Sequence, residues 1–242
     1  MRFAAGLAAG AVLAMISWGA VARQASGGQI AAAAKPAEVS FQFERTGVPV
    51  PRFTLRVNED GTGTYRAEEV QGYADGRPVQ YASAKHIDRT LELTAATVTK
   101  IFKAAREVDR FDRDCAEKTK NIADTGKKTL SYAGTDGAGS CTYNYSGNKD
   151  IEMLTNTFLA IAFTMDEGRR LAFLHQYDRL GLDAEMIGFE REVAAGRALE
   201  LGTIAPVLTS IAGDGAVMQR VRQQAARLLK QAGVDNHGSN KI

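Results

Sequence analysis

The stretch Cys141–Met165, CTYNYSGNKDIEMLTNTFLAIAFTM, decides the fold class because its hydrophobic period changes partway along. Cys141, Tyr143 and Tyr145 alternate with polar residues, the period of a strand wetted on one face. From Asp150 onward the apolar residues fall at Ile151, Leu154, Phe158, Ile161 and Met165. Those spacings of three and four place them on one face of a helix. A strand handing over to a helix at this point divides the chain. The residues before it read as strands with one helix and those after it as helices, so the expected class is α+β.

Working back toward the N-terminus, Val39, Phe41 and Phe43 alternate with polar residues, as do Phe53, Leu55 and Val57. Asn58-Glu59-Asp60-Gly61 turns the chain and Thr62–Val70 returns as the hairpin partner. A loop holding Gly72, Gly76 and Pro78 leads to a fourth strand over His86–Leu93. Thr94 is placed to cap a helix whose apolar face is Val98, Ile101, Phe102, Ala105 and Val108. A charged loop from Arg110 to Lys120 carries Cys115, and a second hairpin, Thr129–Ala133 with Cys141–Tyr145, turns at Thr135-Asp136-Gly137.

Toward the C-terminus, Gly168 is expected to interrupt the helix, with a second helix through Leu171, Leu174 and Tyr177 ending at Gly181. Asp183 is expected to cap a third, with Ile187, Glu190 and Val193 in register, and Pro206 to kink a fourth over Ala198–Ala212. Asp214 is expected to cap a fifth, with Val217, Val221, Ala225 and Leu228 buried. The resulting plan is an antiparallel sheet with one packed helix over residues 39–148. A helical region continues it over 149–234, in the same domain or a second one, and then a tail over 235–242.

Met1-Arg2, an apolar run from Phe3 to Trp18 and the small residues Ala20-Val21-Ala22 have the three parts of a cleaved secretory signal over residues 1–22. An uncleaved anchor is the alternative. The Ala- and Gly-rich composition of the run favours cleavage, and residues 1–22 hold neither a junction Cys nor an Arg-Arg pair. Residues 23–38 read as a tether, and the expected location is periplasmic or secreted. With 30 basic and 28 acidic side chains the chain has no global field to draw nucleic acid or an anionic membrane. In an oxidising compartment Cys115 and Cys141 are expected to pair, closing a loop of about 26 residues that contributes on the order of 3.5 kcal/mol. No CxxC and no His at ligand spacing supports a redox or metal role for them.

Phe53-x-Leu55, then Asp60-Gly61-Thr62-x-x-Tyr65, followed by strand, helix and hairpin, resembles a domain of uncharacterised exported bacterial proteins over about Val39–Tyr145. The resemblance implies a fold and no activity. In place of a Cys pair in the first hairpin loop this chain has Val48-Pro49-Val50-Pro51. Near the C-terminus Asp214, Val221-Arg222, Ala225-Ala226 and Leu229 resemble one HEAT-type repeat, in which the Asp caps the second helix. One unit is too few for a solenoid, so a packed helical hairpin is expected.

Candidate chemistry is sparse. His86 lies beside Lys85 and Asp88, His175 has Asp178 three residues on, and His237 is in the tail. Ser146-Gly147-Asn148-Lys149 matches S-x-x-K but places the Ser at a strand end. Asp109, Asp112 and Asp114 alternate with Arg110 and Arg113, which neutralise them as cation ligands. Gly61-Thr62-Gly63 lacks the context of a phosphate loop, and Arg220, Arg222, Arg227 and Lys230 form a polar face without stacking aromatics. No catalytic, cofactor or metal residue is assigned. The expected function is an exported binding or protein-interaction module for an envelope protein or small ligand. It is not expected to bind nucleic acid or to span the membrane after cleavage. The alternative is an envelope hydrolase. A deep pocket holding His86 or His175 with a carboxylate points to the hydrolase, and an open surface with an apolar patch points to the binding module.

Overall fold

The structure, a computed structural model, describes residues 36–70, 73–74, 77–78, 84–118 and 123–233. The segment expected to be a signal, most of the expected tether and the C-terminal residues with His237 lie outside the described residues, as do Gly72 and Gly76. Eight strands are described: β1 (Glu38–Glu44), β2 (Arg52–Asn58), β3 (Thr62–Val70), β4 (Tyr73–Ala74), β5 (Arg77–Pro78), β6 (Ala84–Glu92), β7 (Lys127–Gly134) and β8 (Gly137–Tyr143). Five helices accompany them: α1 (Ala95–Glu107), α2 (Lys149–Tyr177), α3 (Gly181–Ala194), α4 (Ala205–Gly213) and α5 (Gln219–Gln231). β4 and β5 form a small ribbon, and the other six make one sheet in the order β6-β3-β2-β1-β7-β8, antiparallel throughout. The α+β class is as expected. Glu38, placed in the tether by its sequence, is the first residue of β1, and Ala37 before it is buried.

The alternation in each strand sends one set of side chains inward, Val39, Phe41, Leu55, Val57, Tyr65, Leu130 and Tyr132 among them, where they are buried. Helix α1 and the first half of α2 cover this face, and Phe158 of α2 stacks on Phe41 with ring centroids 5.3 Å apart. The outward set is polar and forms rows across the sheet. One row runs Lys127, Glu44, Arg52, Glu68, His86, with alternating charges, and another runs Thr142, Thr129, Gln42, Thr54, Arg66, Asp88. Such a face is stable in water without a covering layer.

Thr94 caps α1 as its sequence suggests, its Oγ1 accepting from the Thr97 amide. Beyond α1 the chain turns through Asp109, Arg110 and Phe111, whose φ values of 54°, 56° and 66° are left-handed. Each such residue costs about 1–2 kcal/mol. Burial of Phe111 and pairing of Arg110 with Asp136 hold the turn, and a Cβ at Gly139 would stand 2.5 Å from the Arg110 carbonyl. The Cys115–Cys141 disulfide, with Cα atoms 5.7 Å apart, ties the following loop to β8.

The helical half departs from expectation in four places. Gly168 does not interrupt α2, which runs 29 residues, about 44 Å, without a break. A Cβ at Gly168 would lie 2.3 Å from Ile204 Cγ2, so the glycine serves close approach of the chain segment Leu201–Ile204, not helix termination. Pro206 stands in the first turn of α4, where its missing amide is harmless, and starts the helix instead of kinking it. Asp178, not Asp183, receives the amide of Gly181 at the start of α3, while Asp183 pairs with Arg220. Asp214 accepts the Ala216 amide in the turn before α5, and α5 itself begins at Gln219 without a side-chain cap.

Two hydrophobic clusters result, one between the sheet, α1 and the first part of α2, the other among Leu171 and α3–α5. Helix α2 belongs to both. A second tie is Glu200, whose carboxylate accepts from the Thr94 amide and hydroxyl at 2.8 Å each and from the Thr97 hydroxyl. The basic face of α5 turns toward α3, with Arg227 on Glu190 at 2.8 Å.

Gly168→Ala is expected to cost about 1–3 kcal/mol in urea unfolding, because Ile204 must give way. Combined with Ile204→Ala, which opens the space, the loss is expected to be smaller than the sum of the two single losses. Strict additivity contradicts the close-approach reading.

Candidate functional site

After the charged first turn of α2 the next charged residues are Asp166-Glu167-Gly168-Arg169-Arg170, midway along the helix. Here α2 passes the end of the sheet where β3 finishes and β6 begins. Between them lies a cleft of about 1000 Å³. Its first wall is the β1–β2 loop, Val48, Pro49 and Val50, held down by a bond from the Val70 amide to the Pro49 carbonyl at 2.9 Å. Its floor is the end of β3 with Lys85 and Arg89 of β6. The opposite wall is α2, from Phe163 to Phe173.

The polar groups at the base are mutually engaged. Tyr65, buried on β3, donates to Asp166 Oδ1 at 2.6 Å. Arg169 donates to the same oxygen at 2.9 Å and to Glu69 Oε2 at 2.7 Å. Burial, and then the Asp166 charge, pushes the Tyr65 hydroxyl far above the usual phenol range. Burial also raises Asp166, against the opposing hydrogen bond from Tyr65 and the charge of Arg169. One position on, Glu167 is buried and its Oε1 has no partner among the described residues. Desolvation, then a hydrogen bond and charge from Glu185, pushes its carboxyl up to about 8, so it holds a proton at neutral pH. Arg170 pairs with Glu185 at 2.7 Å.

Lys85 and Arg89 are different. They flank Ile87 on the inward face of β6 and both side chains are exposed. Lys85 makes no ion pair or hydrogen bond among the described residues, and Arg89 only donates to the Asp88 carbonyl at 3.2 Å. The α2 wall ends in Phe173, and further exposed apolar residues follow it along the chain. Phe173, Tyr177 and Leu180 are 59%, 67% and 84% exposed, and the Phe173 and Tyr177 rings lie 5.0 Å apart.

Neither histidine singled out by the sequence lines this cleft. His86 stands on the outer face at the end of its charged row, in a depression of about 290 Å³ beside Glu68 and Asp88. His175 pairs with Asp214 at 2.9 Å, not with Asp178, and so fastens the end of α2 to the α4–α5 turn. The Ala216 amide, then His175, holds Asp214 below the usual carboxylate range. Ser146 Oγ accepts from the Asn148 amide at 3.3 Å, and Asn148 caps α2, so the S-x-x-K match is a helix start. Asp109 pairs with Arg113 at 3.9 Å and Asp114 with Lys118 at 3.4 Å, a self-paired loop. No group of acidic, His and Cys residues among the described residues is arranged to hold a metal ion, and no helix among them is long and apolar enough to cross a membrane. The residues that build the cleft, Glu69, Lys85, Arg89, Asp166 and Arg169, were not singled out by sequence. The charged run 166–170, midway along a helix uncharged since its first turn, was the available signal.

No protein-family model matches the chain, and no curated protein is significantly similar to it.

Glu167 has a pKa raised from 4.5 to about 8 by folding, so the folded chain binds its proton more tightly than the unfolded chain. Its contribution to stability is complete below about pH 4.5 and is lost as pH rises through about 8. Between pH 6 and pH 9 the protein is expected to lose about 2–3 kcal/mol that Glu167→Gln does not lose. Urea titrations at several pH values measure this, and parallel profiles for the two proteins contradict it.

Proposed function

We propose that the protein is an exported binding module of the cell envelope, and that its ligand enters the cleft between β6 and α2. The observation that carries this reading is the cleft itself. It joins apolar surface to two exposed cations with no acidic partner among the described residues, and its α2 wall ends in the exposed Phe173, whose ring lies beside that of Tyr177. Ligand sites combine apolar lining with placed polar groups in volumes of about 300–1,000 Å³, and this cleft sets seven charged residues among eight apolar ones. Single exposed apolar residues are ordinary, but an exposed aromatic pair that begins in the wall of a cleft marks a surface that loses water when occupied. The disulfide supports export, because such bonds persist in oxidising compartments. The engaged state of Asp166, Arg169, Glu69 and Tyr65 supports binding over hydrolysis, since their hydrogen bonds already go to one another.

A photo-reactive benzoylphenylalanine placed at Phe173, and separately at Thr129 on the outer sheet face, tests this in intact cells. Irradiation is expected to give a discrete adduct from position 173 and none from position 129. Adducts from 129 alone, or from neither position, overturn the reading.

A further inference from the structure

Resting on that reading, we infer that the cleft takes a single-chain anionic amphiphile, with its acidic head at Lys85 and Arg89 and its hydrocarbon chain between Val50, Phe163 and Phe173. Three features of the molecule converge on this class of ligand. The first is charge. Of the four cations lining the cleft, Arg169 is held by Asp166 and Glu69, and Arg170 by Glu185. Lys85 and Arg89 remain, and both stand on the same strand and the same face. Their Cα atoms are about 13 Å apart, a gap two long side chains close around one head group. An anion placed there gains charge-assisted hydrogen bonds without breaking an existing ion pair.

The second feature is the apolar wall. Phe43, Val50 and Val70 face Phe163 and Phe173 across the cleft, which gives a chain apolar surface on two sides. A head group alone leaves that surface wet, and a chain alone leaves the cations without a partner. The third is shape. The cleft is a groove with a floor and two walls, whereas a protein partner of ordinary size needs a broad patch of about 800 Å² per side. Glu167 is protonated at neutral pH, so the α2 wall repels an acidic head less than its composition suggests.

Calorimetric titration of the exported, purified protein with dodecyl phosphate below its micellar concentration tests the inference. One molecule per chain is expected, with Lys85→Gln/Arg89→Gln weakening binding about tenfold or more and raised salt weakening it in wild type alone. Phe173→Ser, at an exposed position, is expected to weaken binding without affecting the fold. Dodecyl maltoside, which keeps the chain and removes the charge, is expected to bind at least about tenfold more weakly. Inorganic phosphate, which keeps the charge and removes the chain, is expected not to compete. Equal affinity for the maltoside, competition by inorganic phosphate, unchanged binding by the double variant, or no dodecyl phosphate binding each overturns the amphiphile. If the adduct at position 173 forms while dodecyl phosphate does not bind, the binding module stands and the ligand class falls. A protein mass in that adduct has the same meaning.

Discussion

The structure depends on one helix passing unbroken through Gly168. Helix α2 begins against the inner face of the sheet, where Ile151, Leu154, Phe158 and Ile161 are buried, and ends against α3–α5, where Leu171 is buried. A glycine inside a helix costs about 1 kcal/mol relative to alanine. The approach of Ile204, which occupies the space a Cβ would fill, offsets that here. Without that approach the residues 201–204 stand off from α2, and Glu200 cannot reach Thr94 and Thr97 at the start of α1. Two hydrophobic clusters, each small for an independent domain, are thereby joined along one rigid element.

The same helix explains where the cleft is. Packed along the sheet, α2 covers the inner face up to Met165. Beyond that point it leaves the sheet to serve the second cluster, while β3 and β6 continue. A gap opens at the divergence, and the charged run 166–170 falls there. Asp166 and Arg169 bridge the gap at its base to Tyr65 and Glu69, which keeps the helix at a defined distance from the sheet. Partly buried ionic bridges of this kind add little net stability, and their geometric effect is the more important one. The walls above the bridge are left apolar and open.

Much of this was legible in the residues. Period-two alternation placed β1, β2, β7 and β8, since a half-buried antiparallel strand writes its burial directly into sequence, and the turn Asn58–Gly61 placed β3 as the returning partner. Two cysteines in a chain whose first residues read as a secretory signal sufficed for the Cys115–Cys141 pairing. Where the reading failed, the same residue type had two uses that local sequence does not separate. Gly168 reads as a breaker because the partner that requires it, Ile204, is 36 positions away. Pro206 reads as a kink unless the helix is known to start at Ala205. Asp183 and Asp214 read as caps, yet their carboxylates are drawn to Arg220 and to His175. The cleft is non-local in the same way: Val50, Lys85 and Phe173 come from three separate parts of the chain, and none is unusual in its own neighbourhood.

Amide hydrogen exchange along α2 tests the central claim most directly. If α2 is one rigid element joining two clusters, the amides on both sides of Gly168, over Leu154–Met165 and Arg169–Leu174, are expected to exchange with one shared opening free energy close to that of global unfolding. Rapid exchange over 169–174 while 154–165 stays protected would show two separately opening halves, and would contradict both the continuous helix and the cleft that its rigidity defines.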